Sequence, residues 1–405
     1  MPFGSLLALM ALAPLCFSGW WGKHYCKLVI ALTAIILVYY FCLGAPERLL
    51  ETARNYGSFI IFIASLFVVS GGIHIKVKGE ATPMVNVLFL LVGAIVANLL
   101  GTTGASMLLI RPWIRMNKYR ITGYHTVFFI FIVANVGGCL TPLGDPPLFL
   151  GYLMGVPFWW VTIHCWPIWV VGVGTLLAMF YGLDVKNYHR AKKEVREKQT
   201  AHEQWQFNGV RNISFLAIII GAVFIQSVPA LREILMLAAA AGSYYTTKRS
   251  VHEANEFTFH PVKEVAVLFL GIFATMMPAL DWLQSHAQQF GEPTPGLIYA
   301  TAGTLSSALD NAPTYWAFFS LITAHHSPGQ LLSDPASMQC LRALSIAAVF
   351  FGANTYIGNG PNFMIKAIAE QQKIRTPGFL GYIFKYTLPF MVPMLLVVWW
   401  IFFRR

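Results

Sequence analysis

Apolar runs recur along the chain at about 6–20, 27–43, 56–72, 84–100, 123–139, 159–181, 213–228, 230–245, 262–279, 297–309, 343–352 and 379–403. A helix needs roughly 20 such residues to cross a bilayer core. Four of the runs stop at polar or glycine-rich breaks, and those breaks organise the reading. Residues 135–158, NVGGCLTPLGDPPLFLGYLMGVPF, lie inside an otherwise apolar stretch, yet Pro146 and Pro147 remove backbone donors and Gly137, Gly138 and Gly144 loosen the chain, so no continuous helix fits. Irregular backbone at membrane depth is tolerated only where protein buries it or it lines a watery cavity.

The run at 84–100 ends at Gly101-Thr102-Thr103-Gly104, and a short apolar stretch then reaches Arg111, Arg115, Lys118 and Arg120. A hairpin that enters and leaves by one face would keep these residues on the same side as Lys76 and Lys78. The second half repeats the plan: 297–309 ends at Asp310-Asn311-Ala312-Pro313-Thr314, and Gly352–Asn362 interrupts a later span, with Gly358-Asn359-Gly360-Pro361 aligned on Gly144-Asp145-Pro146-Pro147. The pattern predicts an all-α polytopic membrane protein of two inverted repeats, with about ten transmembrane helices plus two re-entrant hairpins and two broken helices. The first repeat covers 1–181 (hairpin about 84–111, broken helix about 123–155), a cytoplasmic linker covers 182–212, and the second repeat covers 213–405 (hairpin about 295–324, broken helix about 339–371). Residues 281–290 read as a short interfacial helix.

Sidedness follows from the basic residues. With the N-terminus outside, segments 23–27, 73–83, 111–122, 182–212, 246–261 and 366–376 fall inside and all carry Lys or Arg, whereas 151–158, 280–295 and 325–338 carry none. Arg48, Arg54 and Arg232 are exceptions accompanied by Glu47, Glu51 and Glu233; Arg342, Arg404 and Arg405 are exceptions without such partners. Both termini are predicted to be periplasmic. Residues 1–20 lack a basic leader and a small-residue cleavage site, so they read as a first span.

Composition agrees. Of 405 residues 57% are hydrophobic and only 11% charged, against about 25% charged in soluble domains. The net charge of +11 is assigned to orientation in the lipid bilayer, not to nucleic acid. The six cysteines are scattered without metal-ligand spacing, and no nucleophilic triad or phosphate-binding glycine loop is present, so no enzyme activity and no cofactor are expected.

The chemistry-bearing residues sit at the breaks. An acid at membrane depth is a functional candidate by default, and Asp145 and Asp310 are the two at the predicted breaks and tips. Around them stand neutral oxygens: Thr102, Thr103, Asn135 and Thr141 in the first half, and Ser307, Asn311, Thr314, Asn354, Thr355, Asn359 and Asn362 in the second. Hard cations take such oxygens, so a Na+ site built on Asp145, Asp310 and Asn359 is expected. A carboxylate desolvated by burial can hold a proton and exchange it for a cation. Blander roles exist for each. Asp145 and Asp310 could cap the helices that follow, Thr102, Thr103 and Ser307 could bond back to helix carbonyls, and Lys366, a possible charge partner for an acid, could snorkel to the interface. His24, His125 and His164 show no clustered partners.

The stretch 135–158 with its Gly-Asp-Pro-Pro core resembles the ion transporter superfamily, in particular the branch of sodium/proton antiporters, arsenite permeases and citrate-transporter-like proteins. Ser307–Tyr315 and Asn354–Asn362 are similar to that branch's second hairpin tip and second broken helix. The resemblance implies a bacterial inner-membrane protein, a homodimer and elevator-type movement. It departs from the dicarboxylate branch, whose tips read Ser-Asn-Thr; here they read Gly101-Thr102-Thr103 and Asp310-Asn311-Ala312. Exchange of Na+ for H+ is the expected activity, with sodium-coupled uptake of an organic anion (citrate or a dicarboxylate) or arsenite/oxyanion permeation as alternatives.

Overall fold

A computed structural model of the chain describes residues 2–77, 81–190, 206–225, 228, 230–286, 289, 291, 293–325 and 331–404. The elements, in chain order, are α1 (Pro2–Cys16), α2 (Ser18–Cys42), α3 (Pro46–Gly71), β1 (His74–Lys76), α4 (Pro83–Met116), α5 (Gly123–Ile132), α6 (Pro146–Leu153), α7 (Trp160–Arg190), β2 (Gln206–Asn208), α8 (Asn212–Val223), α9 (Leu231–Thr246), α10 (Arg249–Ala254), α11 (His260–His286), α12 (Pro295–Ala308), α13 (Asn311–His325), α14 (Pro335–Phe351) and α15 (Gly360–Gln371). The last helix, α16 (Phe379–Phe402), contains a π-helical stretch at Ile383–Met391. Among the described residues seven helices are long and apolar enough to cross a membrane, and their outer faces carry large exposed apolar side chains such as Phe41, Ile163, Phe384 and Trp400, as a lipid-facing surface requires.

One of those seven, α4, does not run straight. Gly101 adopts φ 74 and ψ 155, a backbone region essentially closed to residues with a Cβ, and the helix folds back there. Phe89 and Trp113 would lie about 36 Å apart on a straight helix, yet their ring centroids are 5.6 Å apart. Asn86 and Asn117 exchange amide hydrogen bonds of 2.8 and 3.0 Å. The tip is tighter than the sequence implied, because only Gly101 leaves helical geometry and Thr102 already begins the return arm. In the second half the corresponding arms are α12 and α13, and both pack on α14.

Both broken helices part at glycines. A Cβ on Gly144 would sit 2.0 Å from the Gly138 carbonyl oxygen, and one on Gly358 would sit 2.6 Å from that of Gly352. The chain crosses itself at both places, and only a residue without a side chain fits. A 3₁₀ turn fills each crossing (Val136–Gly138 and Gly352–Asn354), and helices α6 and α15 restart just beyond, each with proline in the first turn. Beside them α3 and α11 form a wall of stacked aromatics: Phe62 lies 4.0 Å from Phe149, Phe59 lies 4.7 Å from Phe269, and Phe273 meets Trp316 edge-on at 4.8 Å.

Three expectations need correction. The segment 182–212 is not simply a linker: α7 runs on through Gly182 to Arg190, and Gln206–Asn208 pairs antiparallel with His74–Lys76, a two-stranded ribbon within the helical fold. Residues 191–205 lie outside the described residues. The helix expected at 281–290 is the end of α11, held where Asp281 accepts from Arg48 (2.9 Å) and from the Tyr40 hydroxyl; residues 287, 288 and 290 lie outside the described residues. His125 is not isolated, because its Nε2 lies 3.2 Å from Asp184 in a buried cluster. The pairing expected of Glu233 is present, with Arg232 at 2.6 Å.

Candidate functional site

The restarting helices, the return arm of α4 and the start of α13 all direct their N-terminal ends to one place. Each such end carries unpaired N–H groups and partial positive charge, and at their meeting point lies the carboxylate of Asp145, 1% exposed. Asp145 precedes α6 in extended conformation (φ −143, ψ 144), but its side chain makes no cap to that helix. It turns to three other elements. The Thr102 hydroxyl donates to Oδ1 at 2.6 Å, Asn359 Nδ2 donates to the same oxygen at 3.2 Å, and Asn311 Nδ2 donates to Oδ2. The capping role open to Asp145 on sequence grounds is therefore not the one it plays.

A chain of amides extends the site. Asn359 also donates to the Ala134 carbonyl (3.0 Å) and to Asn135 Oδ1 (3.2 Å). Asn135 donates to Asn362 Oδ1 at 2.7 Å, and Asn362 donates to the Gly352 and Thr355 carbonyls at 2.8 and 2.9 Å. All four residues from Asn135 to Asn362 in this relay with Asp145 are nearly or fully buried. Asn311 Oδ1 is buried without a hydrogen-bond partner, an acceptor beside a carboxylate of the kind a cation would take.

The remaining candidates divide. Thr141 and Thr355 tie the breaks to the hairpins, donating 2.6 Å bonds to the Asn98 and Ser307 carbonyls. Ser307 receives 2.8 Å from Asn354 Nδ2 and donates back to the Gly303 carbonyl at 3.0 Å, while Asn354 Oδ1 is buried without a partner. Asp310, partly buried, accepts from the Ala312 backbone N–H at 3.2 Å, a local turn at the head of α13, and stands one residue from Asn311. Thr314 bonds back to the Asp310 carbonyl at 3.1 Å. Thr103 lines a cavity of about 30 Å³ between α3 (Phe62, Leu66), the hairpin tip and the first break (Leu143, Gly144). Lys366 pairs with Glu370 at 2.9 Å, one turn along its own helix. The carboxylates of Asp145 and Asp310 thus accept from neutral donors.

Two groups were missed in the sequence. Asn98 is the clasp of the first break: it donates to the Gly137 carbonyl at 2.7 Å and accepts from Leu140 N–H at 2.8 Å. An amide in an otherwise apolar run, three residues before Gly101 at the tip, was the available signal. The second group is the Asp184 cluster, hidden because Asp184 begins a charged stretch that reads as solvated.

Chemically the arrangement is a single buried carboxylate at a convergence of helix N-termini, with amides whose flip exchanges donor for acceptor. It can hold a proton or a small cation, and its dipoles can face an anion. Among curated proteins none matches the chain. A family model described as "Putative citrate transport" matches residues 1–403, and the chain belongs to that family, within the citrate-transporter-like branch of the ion transporter superfamily.

Proposed function

We propose that the protein is a secondary active ion transporter whose coupling cation binds at Asp145, with Asp310, Asn311 and Asn359 beside it, and that it exchanges Na+ for H+. The carrying observation is the burial of the Asp145 carboxylate among neutral donors from three other elements. Such a group has no fixed counter-charge to displace, so proton and Na+ compete for it directly. Two inverted repeats, 1–181 and 213–405, moving as an elevator in a homodimer, are part of this reading. Equivalent glycine crossings and equivalent threonine ties in the two halves support it.

A second reading, cation-coupled uptake of citrate, is favoured by the family and by the helix N-termini, which suit carboxylates where, among the described residues, no Lys or Arg bonds to Asp145. Purified protein in proteoliposomes separates the two. With an imposed pH gradient, Na+ added outside dissipates the gradient if exchange occurs. If Na+ leaves the gradient intact while labelled citrate accumulates under a Na+ or H+ gradient, the exchange reading is lost and the citrate reading stands.

A further inference from the structure

Asp184 lies on α7, fully buried, and gathers four residues from three other segments. Its carboxylate accepts from both terminal nitrogens of Arg120 (Nη2 at 3.0 Å), from the Tyr124 hydroxyl at 2.8 Å and from Asn86 Nδ2 at 2.9 Å, with His125 Nε2 at 3.2 Å. Asn86, in turn, is locked to Asn117. Arg120 also donates to the Ala81 carbonyl at 2.8 Å, and Asn187 donates to the Arg120 carbonyl at 2.9 Å. His125 Nδ1 accepts from the Thr122 N–H at 3.2 Å, so a neutral ring carries its proton on Nε2, which lies close to Asp184 but outside hydrogen-bond geometry. One carboxylate and one guanidinium therefore balance within the cluster.

The members are not random neighbours. Asn86 and Asn117 are the two roots of the α4 hairpin, Tyr124 and His125 begin the first broken helix, and Asp184 and Asn187 belong to α7. The hairpin tip is about 22 Å from its roots, fifteen residues away along a helical arm. A rocking of about 5° at the roots would move the tip by roughly 2 Å over that length, enough to break the 2.6 Å bond from Thr102 to Asp145.

We infer that Asp184 is a positioning residue for the Asp145 site: by fastening the hairpin roots to α5 and α7 it holds Thr102 against Asp145. The inference uses the reading of Asp145 as the cation site, and its test has one arm that does not. In Asp184→Asn, hydrogen–deuterium exchange accelerates across residues 98–106 and stays unchanged across 303–316. Na+-driven exchange shows an apparent KM for Na+ raised on the order of tenfold, with kcat within about threefold, because displacement weakens binding without removing a ligand. Arg120→Gln combined with Asp184→Asn, which leaves no unpaired buried charge, recovers part of the loss. Asn86→Ala, milder because the Arg120 pair remains, gives the same pattern at smaller size and serves if Asp184→Asn does not fold. Unchanged exchange at 98–106 in a folded variant overturns the inference, and so does acceleration spread evenly over both hairpins. A wild-type protein without Na+ dependence sinks the cation reading alone, and the exchange data still judge the clamp.

Discussion

The two broken helices use one backbone device and two chemistries. Gly138, Thr141, Gly144 and Asp145 recur at the same spacing as Gly352, Thr355, Gly358 and Asn359. Each threonine donates a 2.6 Å bond to a hairpin carbonyl, and each helix restarts behind an extended residue that does not cap it. At the last position, however, one half carries an acid and the other an amide. Asp145 only accepts; Asn359 donates to Ala134, Asn135 and Asp145. The backbone device recurs, while the carboxylate stands at one break only, where the Asn359 amide donates to it. A second carboxylate in contact would repel the first in a low-dielectric site.

Breaking that asymmetry has the largest expected effect. Asp145→Asn keeps the shape and removes the charge, and Na+-driven exchange in proteoliposomes should fall by roughly 100-fold or more, the scale of deleting one partner of a buried charged interaction. The swap Asp145→Asn with Asn359→Asp moves the carboxylate across one side-chain contact and should restore activity to within about tenfold of wild type, since the donors remain within reach. A swap as inactive as the single variant would show that the two breaks are not interchangeable.

The crossings come next. Gly144→Ala meets a carbonyl oxygen at 2.0 Å and Gly358→Ala one at 2.6 Å. Both should destabilise the detergent-solubilised protein, read as a lower melting temperature, by roughly 3 kcal/mol or more for Gly144 and less for Gly358, in line with overpacking against rigid backbone. Thr141→Val and Thr355→Val each delete one matched hydrogen bond and should cost about 1 kcal/mol apiece by the same measurement; unequal losses would expose a difference in how tightly the hairpins are tied. Thr103→Val should be nearly silent, within about twofold in transport rate, because the bond to Asp145 at the tip comes from Thr102.

Several parts of this were legible in the chain. Pro146-Pro147 and Gly360-Pro361 could not continue a helix from the preceding turn, though they can open one, and Asp145 inside an apolar run marked the centre. Thr102 was equally open to a local bond and to a ligand role, and only its 2.6 Å contact decides. Asp145 and Asp310 looked alike on sequence grounds, yet one reaches across the fold and the other turns back to the Ala312 N–H. His125 seemed solitary because Asp184 is 59 residues further on, in a stretch whose charges read as a solvated face.

Local sequence determined where helices stop, because a missing N–H, a glycine or an acid acts on its own turn and needs no partner to be felt. Which side chains meet was decided by the fold. Hydrogen bonds such as Asn359 to Asp145, or Asn86 to Asp184, join residues 214 and 98 positions apart, and their geometry exists only once the apolar faces of α3, α4, α7 and α11 have packed and brought the interrupted segments to one depth.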